Sequence, residues 1–437
     1  MNTNENAAAF QRNDRRIVNA WAFFDWANSA FALVITAAIF PAYYVAVTDD
    51  YVSLFGMQIS NSSLYAYAIS ASYLLIAFFS PILSGIADYG GKRKFFLKFF
   101  TVLGSTACLT LFFFKGMDQI ALGTISFMIA MIGFAGALVF YNAFLPVIVT
   151  EDRYDMVSAR GFAFGYIGSV LLLLFNLWMI LSPQTFGIAD EGIATRVSFL
   201  MVGLWWIGFA MIPFKWLPSD EKTKVKRAMI RMGFEELKGV WRAVKTERNI
   251  KSFLFAFFSY SAGVQTVLFL AATFAEKELE FETSQLILVI LILQLVAIGG
   301  AYLFAKFSEW RGNKTALLTM LLIWVAICLA AYFVQVQAQF YAVAAAVGLV
   351  MGGIQALSRS TYSKLLPANT DDPTSYFSFY DVLEKVAILL GTFSFGFIEQ
   401  MTGSIRSSVL LMAVFFVIGM VLLLPVRIER SGGGLED

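Results

Sequence analysis

The 437-residue chain contains no histidine. An imidazole proton relay and any active site built on a histidine base are therefore excluded, and proton chemistry falls to carboxylates. Cysteine occurs twice, at Cys108 and Cys328. Both lie inside long apolar runs and have no metal-ligand spacing, so neither a zinc site nor a disulfide is expected. Charged residues make up only 14% of the chain, against about a quarter in a soluble domain. No G-x-x-x-x-G-K-[ST] loop occurs, so the chain does not power itself with nucleotide. Without a nucleophile–base pair or a metal set, no enzyme is expected, and neither a cofactor nor a nucleic-acid partner is called for.

What the chain has instead is apolar mass. Hydrophobic residues are 59% of it, with 45 phenylalanines and only nine prolines. Twelve apolar stretches approach the roughly 20 residues that a bilayer helix needs. They fall near 17–47, 63–87, 95–115, 120–149, 159–182, 196–217, 251–275, 284–307, 315–336, 338–366, 376–399 and 405–426. The fold class expected is an all-α polytopic membrane protein, with the lipid bilayer as its first partner. The polar start and a first apolar run long enough to span argue against a cleaved signal peptide. With both termini cytoplasmic, four of the 32 basic residues (Lys115, Arg196, Lys277 and Arg406) lie outside and Lys385 lies within a span, which leaves 27 on the cytoplasmic side. The positive-inside rule selects that orientation.

The longest polar stretch, residues 218–250, separates six spans (1–217) from six (251–437). Met232, Leu237, Val240, Trp241 and Val244 punctuate its charges as an amphipathic surface helix would. A linker between the two sets is the plain reading, and a lipid-reading segment the alternative. The two sets look like copies. "SGIADYGGKRK" closes the second span and "AKFSEWRGNK" the eighth, with Asp88 and Glu309, and Gly91 and Gly312, each 221 residues apart. The same offset carries Pro146 onto Pro367 and Arg160 onto Asp381, while Asp25 falls on Ser259 at an offset of 234. Two six-helix, pseudo-symmetric halves joined by a basic loop are a transporter's parallel repeat.

"SGIADYGGKRK" is similar to the signature of the major facilitator superfamily. "WAFFDWANSAF", "FYNAFLPVI", "SARGFAFGYIGS", "GGIQALSRSTYSKLLP" and "FSFYDVLEKVAILLG" together resemble the vacuolar amino-acid effluxer family of fungal autophagy and its bacterial relatives. The resemblance covers about residues 17–426. It implies alternating access and export of an amino acid or a similar small solute. It also implies a cytoplasmic gate at Asp88, Gly91, Lys92 and Arg93 and at their counterparts Glu309, Gly312 and Lys314. Asp88 should meet the helix start at 374–378, and Glu309 the stretch 158–160.

The residues themselves suggest where transport is carried. Trp21, Asp25 and Asn28, with Ala32 and Thr36, share one helix face that cannot rest against lipid. Asp25 either serves a substrate or proton or pairs with a cation such as Lys385 or Arg359. An intramembrane acid favours function. Asp381 and Lys385, four apart, suit a helical ion pair, and Glu384 is then an extra acid, so that one of the two acids can hold a proton. Arg160 and Arg359 read as interface-snorkelling arginines, or else as carboxylate or gate partners. Asn142, Gln265, Gln294 and Gln355 are neutral candidates for a cavity wall, or interhelical hydrogen bonds, and Tyr141 and Tyr380 are weaker candidates. The glycines of "RGFAFGYIGS" and "GLVMGGIQA" signal close helix packing. The reading is a monomeric, inner-membrane secondary transporter of a small organic solute, with proton coupling open. The rival reading is a non-transporting membrane sensor or assembly protein. Such a protein normally carries a soluble domain, and nothing here exceeds the 218–250 loop. Lys226→Cys should react with an impermeant maleimide only after cells are permeabilised; strong labelling of intact cells would overturn the orientation.

Overall fold

A computed structural model describes residues 11–54, 57–219, 228–281, 283–367, 370, 372–402 and 404–428. Lys226, expected on the cytoplasmic side, lies outside them, as do the side chains of Met232 and Leu237. The chain is built of helices: α1 (Arg15–Ala30), a π-helical segment (Phe31–Ile39), α2 (Phe40–Val47), α3 (Asn61–Gly90), α4 (Arg93–Thr110), α5 (Ile120–Asn142), α6 (Leu145–Ile148), α7 (Tyr154–Leu181) and α8 (Glu191–Trp216). After these come α9 (Ala228–Thr246), α10 (Arg248–Leu279), α11 (Thr283–Arg311), α12 (Asn313–Phe333), α13 (Gln337–Leu365), α14 (Pro373–Thr402) and α15 (Ile405–Leu423). Among the described residues, ten helical stretches are long and apolar enough to cross a membrane. Helices α10 and α14, of 32 and 30 residues, match them in length. Apolar side chains such as Leu74, Phe78, Leu181, Leu204 and Phe393 point outward, as lipid contact requires.

Two features depart from the sequence reading. The loop after α2 holds a short antiparallel hairpin, β1 (Tyr51–Leu54) with β2 (Met57–Ser60), so the chain is not wholly α-helical. Its alternation explains it: Val52 turns inward while Tyr51 and Ser53 face out. The first span is also not one regular helix. Through Phe31–Ile39 it widens to π geometry, and the Phe40 N–H reaches back five residues to the Ile35 carbonyl. Pro41 supplies the cause. It has no N–H, and its ring would collide with the carbonyl four residues before it in a regular helix. Wider turns ahead of it remove the clash, and such bulges favour functional sites.

The buried apolar side chains form two large clusters. One runs from Val18 to Leu217; the other runs from Val240 to Ile428 and takes in Ala143 and Tyr166. They meet where α7, α11 and α13 cross, over four fully buried alanines: Ala159, Ala301, Ala305 and Ala356. Small residues let helix backbones approach closely in lipid, where no hydrophobic force draws one helix to another. The Gly348 stripe of α13 works this way against α11, where a Cβ at Gly348 would lie 2.6 Å from the Leu293 carbonyl oxygen. Cys108 and Cys328 are buried and free, one in each cluster. Val240 and Val244 of α9 are buried in the second cluster, and Trp241 touches the Phe379 ring. Gly348→Val should cost about 1–3 kcal/mol through overpacking, readable as a lowered melting temperature in detergent; unchanged melting would mean that α11 and α13 do not meet at this backbone distance.

Candidate functional site

One face of the molecule carries both described ends of the chain. There a vestibule is lined by Arg12, Arg93, Thr150, Lys364 and Arg427. Above it, along the helices, lies a cavity of about 280 Å³. Asp25, Asn28, Ser29, Ala32 and Thr36 line it from the first span, so the polar stripe seen in the sequence does face the interior. Trp21 does not line it. Asp25 is ten residues along α1, about 15 Å from the helix start at 1.5 Å per residue.

Asp25 pairs with Arg359 of α13. Arg359 Nη1 stands 3.3 Å from Asp25 Oδ2, and the two side chains are 3% and 5% exposed. Tyr141 donates its hydroxyl to the same oxygen at 2.7 Å. Arg359 also donates to the Ser158 hydroxyl (2.9 Å), the Ser158 carbonyl (2.8 Å) and Asn142 Oδ1 (3.3 Å). Its guanidinium lies 4.7 Å from the Trp21 ring centre and 4.3 Å from that of Phe162. Trp21 stacks on Tyr141 at 4.5 Å and donates its indole N–H to the Tyr141 carbonyl. Trp21 and Tyr141 therefore hold the pair in place from behind and do not touch the cavity. The sequence reading of Arg359 as a snorkelling interface residue is overturned, because the residue is buried and every other group of its fork meets an acceptor or a ring. Arg160 is half-buried and donates to Asn19 at 3.1 Å. Gly161 of α7 leaves room for the pair. A Cβ there would sit 2.6 Å from Asp25 Oδ2, 2.9 Å from Arg359 Nη2 and 3.0 Å from the Tyr141 hydroxyl.

A second charged cluster lies on α14. Lys385 donates to Asp381 Oδ1 and to Glu384 Oε2, each at 3.0 Å. It does not reach Asp25's pair; Arg359 fills that place. Gln265 of α10 donates to Glu384 Oε1 at 3.1 Å. Glu384 and Lys385 line the cavity, while Asp381 sits behind them with Oδ2 unpartnered. Tyr380 lines the wall and stacks on Phe257 at 3.9 Å. Gln355 accepts from the Tyr166 hydroxyl at 2.5 Å. Asn142, Gln265 and Gln355 are thus cavity residues, whereas Gln294 of α11 is not; its position on the helix turns it away, and its Oε1 is buried without a partner. Asn28 is fully buried on the cavity wall, and neither of its amide atoms has a partner.

Below the cavity, toward the face of the termini, polar links join the two sets of helices. Asp88 accepts from the backbone N–H groups of Thr374 (3.3 Å) and Ser375 (2.6 Å), at the start of α14 where the resemblance places it. Free N–H groups at a helix start attract an anion. Arg93 completes the link with bonds to Asp88 (3.3 Å) and Thr374 (2.9 Å). The counterpart expected at Glu309 fails. Glu309 is exposed, and Asp155 of α7 does the linking instead, accepting from Ser308 (3.0 Å), Asn313 (2.8 Å) and Lys364 (2.8 Å). The helix face that turns Ser308 inward turns its neighbour Glu309 out. Gly91 and Gly312 both adopt left-handed φ, +57° and +86°, at the corners that lead into α4 and α12. Lys92 and Lys314 are half-buried beside those corners. The hydrogen bonds that Arg93, Ser158, Tyr166 and Arg359 make between the two sets lie on this side or in the cavity wall itself. On the far face Arg406 bonds Glu278, Tyr332 and Val334, all within one set.

Asp155, Lys364, Asn313, Tyr166, Tyr73 and Tyr260 escaped the sequence reading, and Ser158 was expected beside Glu309, not beside Arg359. A signal existed in "SRSTYSK", residues 358–364: seven polar or aromatic residues in an apolar helix, most of them buried. Asp25→Asn strands the Arg359 charge, and breaking a buried pair from one side costs about 3–5 kcal/mol. The single variant should melt well below wild type and Asp25→Asn with Arg359→Met should recover; equal melting of all three would show that the pair carries no stability.

Known proteins bear on this geometry. The model of a family described as "Vacuole effluxer Atg22 like" matches residues 13–433. An uncharacterized MFS-type transporter of Bacillus subtilis, YxiO, is 32% identical over 94% of this chain and 95% of its own. Autophagy-related protein 22-2 of Aspergillus niger is 24% identical over 87% and 78%. In fold, the chain is similar to the transporter FucP in its outward conformation (TM-score 0.69, 15% identity, 94% and 97% covered) and to the human organic anion transporter MFSD10 (0.70, 13%, 94% and 100%). A membrane transporter, not an enzyme, is what these likenesses and the buried charged cavity describe together: the chain belongs to the Atg22-like vacuole effluxer family and has the major facilitator fold.

Proposed function

We propose that this protein is a secondary transporter of the bacterial inner membrane that exports a small organic solute, an amino acid in preference, by alternating access. The carrying observation is the cavity. Ionised groups from α1, α13 and α14 surround it at mid-depth, and polar links that can be exchanged seal it toward the face of the termini. The fold has twelve spans: the ten apolar stretches counted above, together with α10 and α14. Six belong to a half at residues 1–217 and six to a half at 251–437, joined by the linker 218–250. The basic asymmetry puts both termini in the cytoplasm. The sealed face is then cytoplasmic and the conformation outward-facing.

In this reading the links at Asp88 and Asp155 form the inward gate, and the Asp25–Arg359 pair is its innermost layer. Opening inward separates Arg359 from Ser158 and Asp25, and a bound solute compensates what is lost. A zwitterion suits a cavity in which both signs of charge are present. The description of the matched family as a vacuole effluxer supports the direction.

Counterflow of labelled amino acids in proteoliposomes tests the function; the protein should exchange at least one of them, and its failure with a full panel would remove the amino-acid reading. Asp155→Asn tests the gate. It leaves Lys364 without its acid, so a cysteine at Gln355 should become several-fold more reactive from the cytoplasmic side. Unchanged reactivity would count against the Asp155 link as a gate.

A further inference from the structure

The ionised groups around the cavity do not balance. Asp25 and Arg359 cancel in a direct pair. On α14, Lys385 must serve both Asp381 and Glu384. Two acids and one base leave one negative charge over. The other groups with polar or ionisable side chains that face Glu384 are Tyr380 on its own helix, Tyr260 and Gln265 of α10, Tyr73 of α3, and Arg359 of α13. Among the described residues none of these adds a free cation, since Arg359 is committed to Asp25, Ser158 and Asn142.

The surplus has a place. Asp381's side chain is 4% exposed and lies behind the wall, whereas Glu384's is 24% exposed and lies on it. The surroundings suit an ammonium group. Tyr73, Phe257 and Tyr260 line the same space, and the face of an aromatic ring attracts a cation. Lys385 already lies 5.5 Å from the Tyr73 ring centre. Across the same cavity, Asn28 is fully buried and holds an amide oxygen and an amide nitrogen with no partner. A buried amide left unpaired is costly, so it points to a ligand with its own polar group.

We propose that Glu384 is an exchangeable single-charge site: it holds either a proton or the ammonium of a small amine-bearing solute, and one displaces the other. This rests on the transport reading above and supplies its coupling. Binding the ammonium releases the proton from the Glu384 carboxyl into the cavity; departure of the amine lets a proton return. Atoms and charge balance, and a carrier that reorients only with one of the two aboard exchanges an amine for a proton. Asp25 cannot play this part while Arg359 neutralises it.

Infrared difference spectroscopy of the reconstituted full-length protein reads the site without any transport assay. Wild type should show a protonated-carboxyl band on acidification. The band should shift when glutamate side chains are labelled with carbon-13 and stay put when aspartates are. 3-Methylbutylamine should diminish it, and the equally sized acid 4-methylpentanoate should not. Glu384→Gln should remove the band and weaken 3-methylbutylamine binding at least tenfold. That variant retains the Asp381–Lys385 pair, and the labelling experiment needs no variant at all. A band that follows aspartate labelling, survives in Glu384→Gln or ignores the amine overturns the proposal. Flux of amino acids in wild type with no such band would sink Glu384's role and leave the transport reading standing. An amine-sensitive glutamate band with no flux of any amine or amino acid would do the reverse.

Discussion

The arrangement depends on one contact, the Asp25–Arg359 pair that ties the first span to α13. Removing two ions from water costs several kcal/mol each even after relaxation, so the pair survives only if nearly every valence is met. It is met by Ser158 twice, by Tyr141 and Asn142, and by the Trp21 and Phe162 rings. The rest of the local sequence follows from that requirement. Position 161 has no room for a side chain. Trp21 stacks behind Tyr141 and fixes the hydroxyl that reaches Asp25.

Lipid explains why the two sets are joined by polar contacts and small residues. In a bilayer, apolar surface gains little by leaving lipid for another helix. The sets adhere through backbone proximity at Ala159, Ala301, Ala305 and Ala356, and through the bonds of Asp88, Asp155 and Arg359. Such contacts can be exchanged for others of similar strength, as the proposed alternation requires; a broad greasy interface with bulky interlocking side chains would not part as easily.

Sequence made the architecture legible where physics leaves few choices. Twelve apolar runs are a crude signal, and a helix answers to each of them. The Asp25 stripe was legible because polar atoms on one face of an apolar helix must turn inward. Contacts between helices distant in sequence were not. Nothing in the spacing of Arg359 says that its partner is 334 residues away, and the rule that long cations snorkel pointed to the interface. The π-helical turn was hidden because a hydrophobic run reads alike at either pitch, although Pro41 marked the spot. Gln294 looked as eligible as Gln265, since type and depth do not reveal which way a side chain faces.

Where the repeat is kept, it serves geometry: Gly91 and Gly312 turn equivalent corners with the same handedness. Where it is broken, the chemistry differs. Asp88 meets the start of α14, but Glu309 faces out and Asp155 carries the equivalent link from the other side of the joint. Asp25 has a buried cation, whereas its counterpart Ser259 donates to the Phe415 carbonyl within its own set. Arg160 ends on the surface side of α7 beside Asn19, while its counterpart Asp381 is enclosed with Lys385. A perfectly symmetric pair of halves would present the same charges from both walls of the cavity, and like charges facing each other in a low-dielectric space repel. Asymmetry removes that conflict. A closed ion pair reaches across the cavity from α1 to α13 and binds the two sets together, while α14 alone carries two acids to one base.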